Sequence, residues 1–153
     1  MRVIFLADAE FGETEVFGPF CLFVAADSPE QLAKAVQKIS GQLTISIHHV
    51  GENDQKLAGE LAILAAEKAG RLVFNGFPTG VEVCAAMNHG GPYPSTSDVR
   101  FASVGTAAML RFTRPLCWQN CPASMLPEEL QSSTPRRIMR LIDGQLSRDP
   151  RGC

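Results

Sequence analysis

Between Phe20 and Phe74 short apolar runs alternate with segments of helical periodicity, and this alternation restricts the possible folds more than any other feature of the chain. Phe20-Cys21-Leu22-Phe23-Val24 is continuously apolar and too short for a helix, so it reads as a strand covered on both faces. Asp27-Ser28-Pro29-Glu30-Gln31 then offers an N-cap serine, a proline at the first helical position and a glutamine placed to close a capping box. Leu32, Val36 and Ile39 recur at helical spacing until Gly41. Leu43, Ile45 and Ile47 alternate with Thr44, Ser46 and His48, which predicts a half-buried strand closed by the turn residues Gly51-Glu52-Asn53-Asp54. A second helix is expected over 54–69, with Leu57, Leu61, Leu64 and Ala65 on one stripe and Gly70 as its stop. Leu72-Val73-Phe74 makes a third strand. Strands joined by helical crossovers run parallel, so the fold class is α/β, a three-layer parallel βαβαβ piece.

Composition excludes several alternatives. The 153 residues carry 14 basic and 16 acidic side chains, a net charge of −2, which argues against a nucleic-acid partner. No apolar run approaches the ~18 residues of a membrane span, and Asp8 interrupts the N-terminal run before a signal-peptide core could form. The reading is a cytoplasmic protein with no membrane partner. Five cysteines, Cys21, Cys84, Cys117, Cys121 and Cys153, are odd in number and scattered, so reduced thiols are expected rather than disulfides or a metal site.

After Asn75 the character changes. Gly76, Pro78, Gly80, Gly90, Gly91, Pro92 and Pro94 punctuate a long irregular stretch of the kind a compact domain keeps for function. A helix capped by Ser103 is expected over 104–112, and Leu116-Cys117-Trp118-Gln119 reads as an edge or interface strand between Pro115 and Pro122. The tail from Pro127, with Arg136, Arg137, Arg140, Arg148 and Arg151, reads as solvated. Neither G-x-G-x-x-G after a strand nor G-x-x-x-x-G-K-[ST] occurs, so the chain carries no phosphate cradle of its own. His48 and His49 point to opposite faces of a strand and cannot ligate one metal together. His89 stands in the long loop without an evident base or nucleophile, Ser95, Thr96, Ser97 and Asp98 read as turn formers, and no G-x-S-x-G elbow is present.

Glu15-Val16-Phe17-Gly18-Pro19 resembles the E-x-F-G-P segment of the aldehyde dehydrogenase superfamily. The resemblance continues through 75–81, 89–94, 103–108, 114–120 and 139–146, where the chain is similar to the C-terminal region of the NADP-using 2-oxoglutarate semialdehyde (2,5-dioxopentanoate) dehydrogenases. It implies cofactor-binding roles for Glu15, which would accept hydrogen bonds from the nicotinamide ribose, and for Phe17, which would pack beside the nicotinamide ring of NADP or NAD. It further implies that Phe77, Pro78, Thr79 and Val81 wall the aldehyde pocket. By the same resemblance, 1–114 is the C-terminal part of a catalytic domain and 115–153 is an oligomerisation strand with a polar tail.

Aldehyde oxidation of this type needs a cysteine thiolate, an oxyanion-stabilising Asn, a general-base Glu and a dinucleotide-binding domain. In the family all of them precede E-x-F-G-P, and here only fourteen residues precede Glu15. Cys84 is the one candidate for a replacement nucleophile, but it lies in a stretch the intact relatives share, with no adjacent cation to lower its pKa. The expectation is a chain with no catalytic residue of its own, inactive alone and not binding the dinucleotide by itself. Two alternatives stand beside it. One is an assembly module that self-associates as a homo-oligomer or pairs with an upstream aldehyde dehydrogenase fragment; the other is a small independent α/β domain with an unrelated ligand site in its Gly/Pro loop.

Overall fold

The computed structural model describes residues 12–133 and 136–149. The N-terminal run 1–8, Arg151 and Cys153 lie outside the described residues. The chain divides into two compact units, Met1–Arg114 and Pro115–Cys153.

In the first unit, helix α1 (Pro29–Lys38) starts where the capping pattern places it. Ser28 Oγ accepts from the Gln31 amide at 3.3 Å, and Gln31 Oε1 in turn accepts from the Asp27 amide at 3.0 Å. Two otherwise orphaned N–H groups are thereby satisfied. Strand β1 (Gln42–Ile47) and strand β2 (Ala69–Phe74) pair in parallel, with Gln42 opposite Ala69, Thr44 opposite Arg71 and Ile47 opposite Phe74. Helix α2 (Gly51–Ala66) connects them and packs on both strands, and α1 packs against α2.

Helix α2 begins earlier than the turn chemistry suggests. Gly51 takes the left-handed conformation, φ 72°, so the chain turns straight from β1 into the helix. The Asp54 carboxylate accepts from the Val50 amide at 3.4 Å. Gly70 is not the helix stop. The helix is capped at Glu67, the Lys68 carbonyl accepts from the Gln42 amide at 2.7 Å, and Gly70 already belongs to β2.

Phe20–Val24 forms no strand. A strand exists only through its neighbour's hydrogen-bond ladder, and among the described residues the sheet consists of β1 and β2 alone. The structure is therefore a small α/β piece with a two-stranded parallel sheet. Ser103 caps no helix either: its amide and its hydroxyl both donate to the His89 carbonyl, each at 2.9 Å. Residues Thr106–Phe112 form a 3₁₀ helix, entered through Gly105 at φ 87°.

In the second unit Leu116–Gln119 forms no strand and pairs with no strand among the described residues. The tail is more ordered than its composition suggests. Strands β3 (Arg140–Ile142) and β4 (Gln145–Ser147) form an antiparallel hairpin. Asp143 and Gly144, with φ 50° and 82°, supply the two left-handed residues of a tight turn. Arg136 pairs with Glu128 at 3.2 Å and Glu129 at 2.8 Å, and Arg140 Nη1 donates to the Gln131 carbonyl at 2.8 Å.

Every buried residue described is small: Ala35, Ala58, Ala65, Ala69 and Ala102, together with Gly41, Gly90 and Gly91. Among the described residues no large side chain is fully buried. The tightest packing is backbone on backbone, where Gly90-Gly91-Pro92 lies against the starts of both strands. A methyl group on Gly41 would collide with the Pro92 carbonyl, and one on Gly70 with the Gly90 carbonyl.

Candidate functional site

The site candidates fall in two segments that flank the sheet's sequence, 13–17 and 76–81. At the end of β2 the Asn75 amide donates to the Ile47 carbonyl at 2.9 Å and extends the ladder by one residue. Asn75 then turns left-handed, φ 50°, and its Oδ1 accepts from the His49 amide at 2.9 Å. This ejects the chain from the sheet at Gly76 and carries Phe77 beside His48, with ring centroids 5.3 Å apart and planes tilted by 47°. Of the two adjacent histidines, His48 therefore serves as an aromatic neighbour of the loop.

The loop folds back along β2. Arg71, in the middle of that strand, donates from Nη1 to the Gly80 carbonyl at 2.8 Å and from Nη2 to the Pro78 carbonyl at 3.4 Å. Its Nε donates to Oγ1 of Thr44, the residue opposite it on β1, at 3.3 Å. Phe77 is left 78% exposed, and Pro78, Thr79 and Val81 are also exposed.

On the other side, Glu13 Oε1 accepts from the Ser40 amide at 3.2 Å, which ties the 13–17 segment to the start of β1. Glu15 is exposed and Phe17 is 91% exposed. Gly18 follows at φ 143°, and the Phe20 amide closes a tight turn onto its carbonyl at 2.8 Å, a conformation suited to glycine before proline. Pro78 and Glu13 share the wall of one open cleft of about 510 Å³ with Ser40, Thr44, His89 and Ser95. Glu15, Phe17, Phe77, Thr79 and Val81 do not line that cleft.

Cys84 sits in a backbone turn, its amide on the Glu82 carbonyl at 3.1 Å and its own carbonyl accepting from Met87 at 3.2 Å. It is a free, half-buried thiol. The residues that hold the loops, Arg71 and Asn88, are not among the sequence candidates. A charged side chain inside the apolar run 69–74 is a signal in itself, because a strand facing other elements tolerates an arginine only where partners wait for its donors. Asn88 Nδ2 donates to the Gly70 carbonyl at 3.1 Å and pins the second loop to β2.

No family model matches the chain. Over 135 residues, 88% of its length, it is 49% identical to the alpha-ketoglutaric semialdehyde dehydrogenase of Acinetobacter baylyi. Over 141 residues, 92% of its length, it is 47% identical to alpha-ketoglutaric semialdehyde dehydrogenase 2 of Azospirillum brasilense. The chain is homologous to the C-terminal part of an aldehyde dehydrogenase. It spans 26% of the length of each of these aldehyde dehydrogenases, and the N-terminal catalytic regions lie outside the matched part. The intact aldehyde dehydrogenase family uses NAD(P). No described helix is long and apolar enough to cross a membrane.

Proposed function

We propose that the chain forms the C-terminal part of the catalytic domain of an NAD(P)-dependent dehydrogenase that oxidises a semialdehyde of a 2-oxo acid to its carboxylate, and that it does not turn over alone. The observation that carries this reading is the 47–49% identity to alpha-ketoglutaric semialdehyde dehydrogenases across about nine-tenths of the chain. The exposed Glu15 carboxylate and the uncovered Phe17 ring, two residues apart before the Gly18 turn, suit a ribose and a planar nicotinamide ring. The dinucleotide, when bound, supplies the hydride acceptor. On this reading Glu15 accepts from the ribose hydroxyls, Phe17 fixes the ring's plane, and Phe77, Pro78, Thr79 and Val81 confine the aldehyde. The attacking thiolate, the oxyanion-stabilising Asn and the base for the deacylating water come from upstream polypeptide.

The same proposal extends to architecture. Phe20–Val24 becomes a third parallel strand, and the sheet gains its other covering layer, when upstream elements flank it. Residues 116–120 serve as an oligomerisation strand. The four described cysteines are free, which suits a reducing cytoplasmic setting. A second reading, an assembly module that pairs with an upstream fragment or with itself, is favoured by the exposed Phe17, Phe20, Phe23 and Val24.

The test is a graft in which this chain replaces the matching quarter of the Acinetobacter baylyi relative. The graft is expected to form NAD(P)H from 2-oxoglutarate semialdehyde, and the free chain none. Glu15→Gln in the graft should cost ~10²-fold in kcat/KM, the scale set by misplacing a bound reactant. A folded graft without turnover, or turnover by the free chain that Cys84→Ala abolishes, overturns the proposal.

A further inference from the structure

We propose that Arg71 is the positioning residue of the substrate-wall loop: its guanidinium fixes the peptide planes around Thr79 and Gly80 and thereby sets how tightly the aldehyde is held. The inference rests on the reading above for the role of the loop, but the clamp itself stands on geometry. Among the described residues, no backbone hydrogen bond belongs to 76–81, and the loop contains Gly76 and Gly80. A Cβ on Gly80 would meet nothing within 4 Å, so packing does not hold that residue in place. The polar ties come instead from one side chain: Arg71 reaches the Gly80 carbonyl at 2.8 Å and the Pro78 carbonyl at 3.4 Å.

Those carbonyls belong to the peptide units 78–79 and 80–81, so the clamp brackets Thr79 and Gly80 and fixes the approach to Val81. The guanidinium is planar, and its donors form a rigid fork. Anchoring Nε on Thr44 Oγ1 at 3.3 Å therefore sets the direction of the other two donors. Thr44 lies opposite Arg71 in the parallel register, so the loop is indexed to the sheet through a cross-strand pair. Among the described residues Arg71 makes no ion pair, and its donors go to neutral oxygens. Lysine, with a single ammonium, cannot reproduce this arrangement.

The test uses the full chain and the graft together. In the full chain, ¹⁵N relaxation is expected to give Gly76, Phe77, Thr79 and Gly80 order parameters near ~0.85, falling below ~0.6 in Arg71→Met while β1 stays rigid. Arg71→Lys should resemble Arg71→Met, and Thr44→Val should loosen the loop less. In the graft, Arg71→Met should raise the aldehyde KM ~10-fold, with kcat and the KM for NAD(P) within about twofold, the scale of losing charge-assisted hydrogen bonds at one wall.

An unchanged loop in Arg71→Met, full rescue by Arg71→Lys, or a loss falling equally on kcat and both KM values overturns the clamp. A graft with no turnover at all overturns the functional reading instead, and the relaxation measurement still decides the clamp. If Arg71→Met does not fold, Thr44→Val carries the test, with the loop expected to gain mobility and the clamp refuted if it does not.

Discussion

Residues 88–96 and 16–24 lie in the same unit and are both rich in glycine, proline or apolar side chains, yet they reach opposite physical outcomes. In the first, Gly90 and Gly91 are buried against the strand starts. Asn88 Nδ2 binds the Gly70 carbonyl at 3.1 Å, Thr96 Oγ1 the Gly91 carbonyl at 2.6 Å, and Ser95 Oγ the Pro92 carbonyl at 2.7 Å. In the second, Phe17 and Phe23 stand 91% and 90% exposed. The difference lies in where each segment's complement is encoded. The loop 88–96 finds its partners in Gly41, Gln42 and Gly70 of this same chain: the bare Cα atoms of Gly41 and Gly70 leave room for the loop's carbonyls, and that of Gly91 leaves room for the Gln42 carbonyl. The apolar segment finds only a part of its own: Leu22 and Val24 line a cleft with Leu32, Val36 and Ile45, while Phe17 and Phe23 stay uncovered, and on the proposed reading their complement belongs to upstream aldehyde dehydrogenase polypeptide.

The largest expected effect comes from breaking the first region. Gly70→Ala places a methyl group on the Gly90 carbonyl, backbone against backbone, where no side-chain rotation can relieve it. Overpacking of this kind should cost about 2–3 kcal/mol, read as a lower urea midpoint at unchanged m-value. Gly59→Ala in the exposed part of α2, where an added Cβ meets nothing within 4 Å, should gain about 0.5–1 kcal/mol through helix propensity. The same chemical change is thus expected to have opposite signs at two glycines. Equal effects at both would mean that the Gly90 loop does not rest on β2 in solution.

The parts legible in the sequence are those whose cause is local. Ser28, Pro29 and Gln31 mark the start of α1 because capping is settled within four residues, and the alternation around Ile45 marks β1 because it reports a pleat. Phe20–Val24 shows the limit: an apolar run says that burial is wanted, not that a neighbour is at hand. Ser103 reads as a helix cap by type, but the His89 carbonyl, fourteen residues upstream, takes both of its donors. The hairpin at Ile142-Asp143-Gly144-Gln145 was readable in principle, since an Asp-Gly pair between alternating residues is a strong turn signal, and the polar, arginine-rich surroundings conceal it. Of the site, the Glu15 to Pro19 segment is visible through family resemblance, whereas Arg71 becomes meaningful only once the loop folds back along its strand.

A smaller effect on stability, but a sharper one on the contrast, is expected in the second region. Phe20→Ser with Phe23→Ser removes apolar surface that the chain leaves mostly exposed, so the unfolding free energy should change by less than about 0.5 kcal/mol. Self-association should fall, seen as a sedimentation coefficient that no longer rises with concentration. A large loss of stability would show that this segment packs within the chain after all, and the distinction between the two regions would collapse.

The smallest effect tests how firmly the far end of the packed stretch is held. Asp98 Oδ1 accepts from both the amide and Nε of Arg100, at 3.0 Å and 2.9 Å, and Oδ2 accepts from Nη2 at 2.6 Å. The Arg100 guanidinium, followed by its backbone N–H, holds the Asp98 carboxyl down at about 2, against an ordinary value of 3.8. A carboxyl whose folded pKa is depressed adds stability above its unfolded value and loses it as pH falls through the folded one. Wild type and Asp98→Asn should therefore differ slightly in urea midpoint above pH 3.8 and converge as pH approaches 2. Because the pair is open to solvent, added salt should shrink the difference further. A carboxyl titration seen by NMR at 3.8 instead of about 2 would mean that the turn from Asp98 to Phe101 is not held by this ion pair in solution, and the stretch would then rely on the ties at either side of it, the Thr96 hydroxyl on the Gly91 carbonyl and the Ser103 amide and hydroxyl on the His89 carbonyl.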